Sequence, residues 1–367
     1  MKWNTTYIIG KLILCVGMML LLTTCTEDST QEGKNTDLLQ LVGLNTELLT
    51  EQTRLAGYTG YKDYNMTFLG RSVVESGEVS MGVFMTSGIV SPLSRFIYLG
   101  SAVDAWESMV EVKQGVDYHI YGYMPVELGG TASIEKLPGK SDYAAGAKLT
   151  LGGICPVSQY DVCVVSGVQQ AENVNASEQL VAGQYGYVGK AKGQNFVYIM
   201  LDHIYASICV DLKVDAQYDA LRTIKLKKMV LASEAFKEVN AVLTMAANAP
   251  YQVSWEKTAG SVQSNPFFEN VEGLTLQTTP TEQKMFGYFA PINDLVNGLS
   301  LVCTYDVYDK QGNLLRENCS AANKLPASLA NIKAGEQQRI HLTIVPTYLY
   351  QLSDTDLTNP TFKIDTD

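Results

Sequence analysis

From Phe196 to Val214 the chain reads as one long strand, and from Ile204 onward it alternates without a break. Ile204, Ala206, Ile208, Val210, Leu212 and Val214 fall on one face; Tyr205, Ser207, Cys209, Asp211 and Lys213 fall on the other. Residues i and i+2 share a face in a strand but not in a helix, so this period requires a sheet. It predicts a strand buried on one side. The same texture recurs. Ile224 and Leu226 alternate with Lys225 and Lys227, and Leu299, Leu301, Cys303, Tyr305 and Val307 share a face. Within Arg339 to Val345, Ile340, Leu342 and Ile344 point inward. Asp309 to Asn313 reads as a hairpin turn from which Leu314 to Cys319 returns. Ser76-Gly77 turns into a strand through Phe84, and Val116 to Met124 is a strand stopped by Pro125. Met66 and Phe68 carry the same alternation. Gly129-Gly130, Pro138-Gly139 and Gly152-Gly153 punctuate loops, and the polar stretch Gln169 to Glu178 reads as a linker or long loop. Many strands, frequent turns and few helical stretches predict an all-β chain built of β-sandwiches.

The N-terminus is read separately. Lys2 and Lys11 form a basic region, and Leu12 to Leu22 is almost wholly apolar. That run is too short to span a bilayer, which takes ~20 apolar residues, and has the length of a signal-peptide core. It ends at Leu21-Leu22-Thr23-Thr24-Cys25, the pattern a lipoprotein signal peptidase requires, with Thr24 where a smaller residue is usual. Residues 1–24 are thus expected to be a lipoprotein signal peptide, with Cys25 carrying the lipid. A plain secretory signal is the alternative. Thr26 to Thr36 is a polar tether. Leu38, Leu39, Leu41, Val42, Leu44, Leu48 and Leu49 then fit either a helix face or a broken strand. Arg54, the first arginine of the chain, follows at once.

Composition narrows the function. The net charge is -11 over 367 residues, and the pI is near 4.9. So acidic a chain is not expected to bind nucleic acid, whose phosphates demand a basic patch. Five cysteines remain once Cys15 and Cys25 are set aside: Cys155, Cys163, Cys209, Cys303 and Cys319. None forms a CxxC pair, so no zinc site is expected. A hairpin centred on Gln311 would set Cys303 opposite Cys319. They are a candidate disulfide, or two buried thiols. The three histidines, His119, His203 and His341, lie in strand patterns and read as structural. Asp202 beside His203 cannot form a local dyad, because strand neighbours face opposite ways. No serine elbow, phosphate loop or dinucleotide-binding turn occurs, so no catalytic residue, metal or cofactor is expected and the chain reads as a non-enzyme.

Four segments together resemble the fimbrillins of Bacteroidales, the subunits of type V pili. They are Gly77-Glu78 with Gly82-Val83-Phe84; Trp106 followed by Tyr118 to Pro125; Val197 to Val214 with Leu201-Asp202-His203-Ile204-Tyr205-Ala206; and Pro346 to Tyr350 with Asp356 to Pro360. The resemblance implies two tandem transthyretin-like β-sandwiches, residues 55–180 and 190–367. It implies export as a lipoprotein and assembly by donor-strand exchange after an N-terminal segment is removed. Residues 25–54 would be tether and removable plug, with Arg54 as processing site or an ordinary surface arginine, and Arg71 as a substitute. Thr26, Glu27 and Asp28 after Cys25 resemble signals for display on the outer face of the outer membrane. The tail, residues 346–367, would be either a donated strand or the last strand of its own sandwich. Expected partners are other pilus subunits, the outer membrane through the lipid, and a host or bacterial surface ligand. The alternative is a monomeric surface lipoprotein that binds a glycan or host protein.

Overall fold

The structure, a computed structural model, describes residues 36–44, 79–99, 106–172, 181–283, 285–345 and 361–366. Its first strands are β1 (Thr36–Leu38), β2 (Gln40–Leu44), β3 (Val79–Thr86), β4 (Ser94–Tyr98), β5 (Trp106–Ser108), β6 (Glu111–Lys113), β7 (Asp117–Met124) and β8 (Thr131–Lys136). Then come β9 (Gly146–Ile154), β10 (Val157–Ser158), β11 (Cys163–Ala171), β12 (Gly186–Val188), β13 (Phe196–His203), β14 (Ala206–Val214), β15 (Thr223–Ser233) and β16 (Phe236–Ala246). The chain continues through β17 (Gln252–Ala259), β18 (Val262–Gln263), β19 (Phe268–Thr275), β20 (Met285–Phe289), β21 (Leu299–Tyr308), β22 (Leu314–Lys324), β23 (Gln337–Val345) and β24 (Thr361–Thr366). Short helices α1 (Ala216–Leu221) and α2 (Asn293–Val296) interrupt them, α1 capped by the Asp215 carboxylate, which accepts from Gln217 N–H. The fold is all-β.

An 8-stranded sheet runs β2-β13-β11-β7-β3-β4-β5, with β12 also on β7. A 5-stranded sheet runs β10-β20-β14-β23-β24, another β18-β15-β21-β22 with β19 on β15, and a 4-stranded sheet β17-β16-β9-β8. β1 pairs with β6.

Alternation in the 8-stranded sheet feeds two hydrophobic cores. On β7, Tyr118, Ile120 and Met124 enter one core, and Tyr121 and Tyr123 enter the other. On β3, Met81, Val83 and Met85 oppose Phe84 in the same way. A sheet covered on both faces carries large apolar residues at successive positions. This explains why Asp117–Met124 is buried almost throughout. Crowding between β3 and β7 needs glycine: a Cβ on Gly122 would collide with the Gly82 carbonyl oxygen.

Three expectations are corrected. The single strand Phe196–Val214 is two strands in different sheets, parted at Ile204-Tyr205, where Ile204 N–H donates to Val162 O at 2.8 Å. β14 is also buried on both faces: Ala206, Ile208, Val210, Leu212 and Val214 enter the large core, and Ser207, Cys209 and Asp211 on the opposite face are buried as well. Gln169 and Gln170 belong to β11 rather than to a loop. Strands on either side of residues 180–190 share sheets. β13 pairs with β11, β16 with β9, and β20 with β10, and Asp37–Asp367 forms one compact unit. Residues 64–68 lie outside the described residues.

Candidate functional site

The N-terminal segment forms the outer strand of the 8-stranded sheet. The helix-or-strand alternative at Leu38–Leu44 therefore resolves to strand, with Leu48 and Leu49 outside the described residues. β2 lies parallel to β13, with Gln40 opposite Phe196, Leu41 opposite Val197, and, past an irregularity, Gly43 opposite Tyr198 and Leu44 opposite Ile199. Leu39 N–H donates to Val110 O at 2.7 Å and Gln40 N–H to Asn195 O at 2.6 Å, so the segment bridges two layers at Leu39. Leu39 and Leu41 are 0% and 8% exposed and pack in the core with Val197, Ile199 and Leu201. Each such leucine contributes about 1.5–3 kcal/mol when buried.

A polar clasp holds the entry to this strand. Asp37 Oδ2 accepts from Gly193 N–H, and from Asn195 Nδ2 at 3.2 Å. Asn195 is itself buried, accepting from Tyr187 OH and Lys190 N–H at 2.8 Å each. Burial acts to raise the Asp37 carboxyl. The hydrogen bonds from Gly193, Asn195 and Leu38 and the Lys192 charge outweigh it, so Asp37 is held below its ordinary value. It therefore stays an anion at neutral pH, as the clasp requires.

The other edge of interest is β24. It pairs antiparallel with β23, from Ile340 opposite Thr366 to Val345 opposite Thr361. Residues 361–366 therefore pair within the chain's own sheet. Residues 346–360 lie outside the described residues. β23 is further tied to β14 by a buried carboxylate. Asp211 Oδ2 accepts from Arg339 Nη2 at 3.0 Å, and Asp211 Oδ1 lies 2.6 Å from His341 Nδ1.

Cys25, Arg54 and Arg71 lie outside the described residues. The direct opposition of Cys303 and Cys319 is corrected. At the turn Tyr308 faces Leu314, the register of a hairpin centred on Gln311. Two irregularities, between Tyr308 and Val307 and between Val307 and Tyr305, then slide β22 by a residue each. Beyond them Cys319 faces Tyr305 and Cys303 faces Ala321. Asn318, at φ 52, takes up the bend while its N–H donates to Asp306 Oδ1 at 2.8 Å. Both cysteines are free thiols, and burial pushes the Cys303 thiol up to about 12.

His203 is buried. Its Nδ1 contacts Asp161 Oδ2 and lies 3.4 Å from Cys163 Sγ. Sequence reading missed this group because Asp161 and Cys163 stand far from His203 along the chain. The one local signal was the i, i+2 spacing of Asp161 and Cys163.

No family model matches the sequence, and no curated protein matches it. Among solved structures the chain is similar to a candidate cell adhesion protein from Bacteroides uniformis, at 12% identity and TM-score 0.40, over 91% of this chain and 98% of that one. It is similar to a fimbrial protein from Bacteroides vulgatus, at 12% identity and TM-score 0.35, over 90% and 98%. It is also similar to the fimbrial anchor protein Mfa2 from Porphyromonas gingivalis, at 12% identity and TM-score 0.27, over 79% and 89%. At these identities and TM-scores, none of the likenesses assigns a role to this chain.

Proposed function

We propose that the chain is a structural subunit or accessory adhesin of a type V-like pilus, exported as a lipoprotein anchored through Cys25 in the outer membrane. Assembly is by donor-strand exchange with other subunits after the N-terminal segment is cut away. The observation that carries this reading is the position of β2. It precedes Arg54 in the chain and holds a sheet edge, and its Leu41 together with the preceding Leu39 fills a core. While the chain is intact, β2 is tethered and its effective concentration at β13 is high. Cleavage at Arg54 turns it into a separate peptide that dilutes away once released. The vacated β13 edge then offers unpaired backbone groups and an apolar groove, which a strand from a neighbour can fill.

The test is to cleave purified full chain with an arginine-specific protease and follow its size. Oligomers should form after cleavage, and an excess of a peptide spanning β1 and β2 should suppress them. Cleaved chain that stays folded and monomeric contradicts the proposal.

A second reading, a monomeric surface lipoprotein that binds a glycan, has one supporting observation. An open cleft of about 440 Å³ is lined by His119, Gln169, Gln170, Gln184, Tyr185 and Asn248 among others. Gln169 Oε1 and Gln170 Nε2 are buried there without a hydrogen-bond partner.

A further inference from the structure

We infer that Asp161, Cys163 and His203 form a binding site for a divalent zinc-like cation that pins the chain where it passes from one sheet to the next. Three features of the fold bring them together. Asp161 and Cys163 are two residues apart and turn to the same side as β11 begins. Cys163 is the direct cross-strand partner of His203, the last residue of β13. All three are buried, and one ligand atom from each lies within 4.8 Å of the others.

The donor set is one thiolate, one imidazole and one carboxylate, which suits Zn²⁺ among the common biological cations. The geometry agrees on two of its three edges. Cys163 Sγ lies 3.4 Å from His203 Nδ1 and 3.6 Å from Asp161 Oδ2. Ligands at zinc bond lengths of about 2.0–2.3 Å in a tetrahedron stand about 3.5 Å apart. Asp161 Oδ2 and His203 Nδ1 touch directly, so the cation seats by parting that pair. Asp161 Oδ1 is buried with no hydrogen-bond partner, an expensive arrangement for a carboxylate unless a cation compensates it.

Charge balance gives the same answer. Without a cation the Cys163 S–H donates to Asp161 Oδ2 at 3.6 Å. On binding, the S–H proton leaves to solvent as the S–metal bond forms. Thiolate, carboxylate and neutral imidazole then sum to two negative charges, which a divalent cation neutralises in a buried place. Burial also argues against a nucleophilic role for Cys163, since no substrate can reach it.

The consequence is mechanical. His203 is followed directly by Ile204-Tyr205, where the chain crosses from β13 to β14. Tyr251 OH donates to His203 O at 3.0 Å, so the crossing is already held on its backbone side. A cation would add a second clamp on the side-chain side, behind the strand whose free edge is proposed to accept a donor.

The test uses full-length chain stripped with a chelator and then titrated with Zn²⁺ and, separately, Co²⁺. About one metal ion per chain is expected, with a thiolate-to-cobalt charge-transfer band and a thermal midpoint that rises with free metal. Cys163→Ser should abolish the band, and Asp161→Asn should weaken binding by more than roughly 10-fold. Cys209→Ser, which removes a buried thiol elsewhere, should leave both unchanged. If Cys163→Ser does not fold, the parent and Cys209→Ser still decide the matter: a full band in both supports the site, and its loss in Cys209→Ser overturns it. Folded parent chain that takes up no stoichiometric metal, or a band that survives in folded Cys163→Ser, also overturns it.

Discussion

Arg54→Ala is expected to leave the chain as unpolymerised precursor, an all-or-none loss of assembly with the fold intact. The reason lies in where the cut falls. β2 ends at Leu44 and β3 begins at Val79, so a cut at Arg54 or at Arg71 separates the same outer strand from the rest of the sheet. Leu39 and Leu41 would together give up about 3–6 kcal/mol of burial if β2 left and nothing replaced it. Release is therefore unfavourable while the strand is tethered and becomes productive once the cut lets it dilute away. Size analysis of surface extracts checks the prediction. Normal polymers from Arg54→Ala with none from the Arg54→Ala, Arg71→Ala double variant would move the site to Arg71. Normal polymers from the double variant would exclude arginine-directed removal.

Deleting residues 347–367 is expected to give a folded chain that is less stable than its parent and no longer polymerises after cleavage. β24 is the terminal strand of its sheet, and β23 keeps β14 on its other side. Ile340, Leu342 and Ile344 are already buried in the large core, so loss of β24 should weaken that sheet without dissolving it. The tail also carries Phe362 and Ile364 at period two, the spacing of Leu39 and Leu41 at the start of the N-terminal segment, as a strand competing for the vacated β13 edge requires. Circular dichroism and size analysis of the cleaved, truncated chain decide the outcome. Truncated chain that polymerises as the parent does rules the tail out as donor. An unfolded product assigns the tail to the chain's own core and removes the donor role.

How far the sequence carried these conclusions depended on how local each feature was. The alternation at Leu299–Val307 and Ile340–Ile344 corresponds to β21 and β23, and Asp309 to Asn313 is the turn it reads as, closed by Asp309 Oδ1 accepting from Gln311 and Asn313 N–H. These are short-range patterns, fixed by a face or a turn. What stayed hidden was non-local. Strand-like sequence runs on through Ile204 and Tyr205, yet the chain changes sheets there, because strand patterning records faces and not neighbours. The irregularities in β21 and β22 have no local mark strong enough to predict a two-residue slip, so a correct turn led to a wrong pairing for Cys303 and Cys319. The leucines after Asp37 fit two periods, and only pairing with β13 decides between them. The Asp161, Cys163 and His203 cluster needed the β11–β13 register before it could be seen at all.

The most direct measurement is the N-terminal sequence of chains taken from surface-assembled material. Chains beginning at Leu55 are predicted, since the outer strand must be gone before a neighbour can occupy its place. Polymerised chains that still carry residues 36–44 joined to the rest would contradict the account, because β2 would then fill the edge on which assembly is proposed to depend.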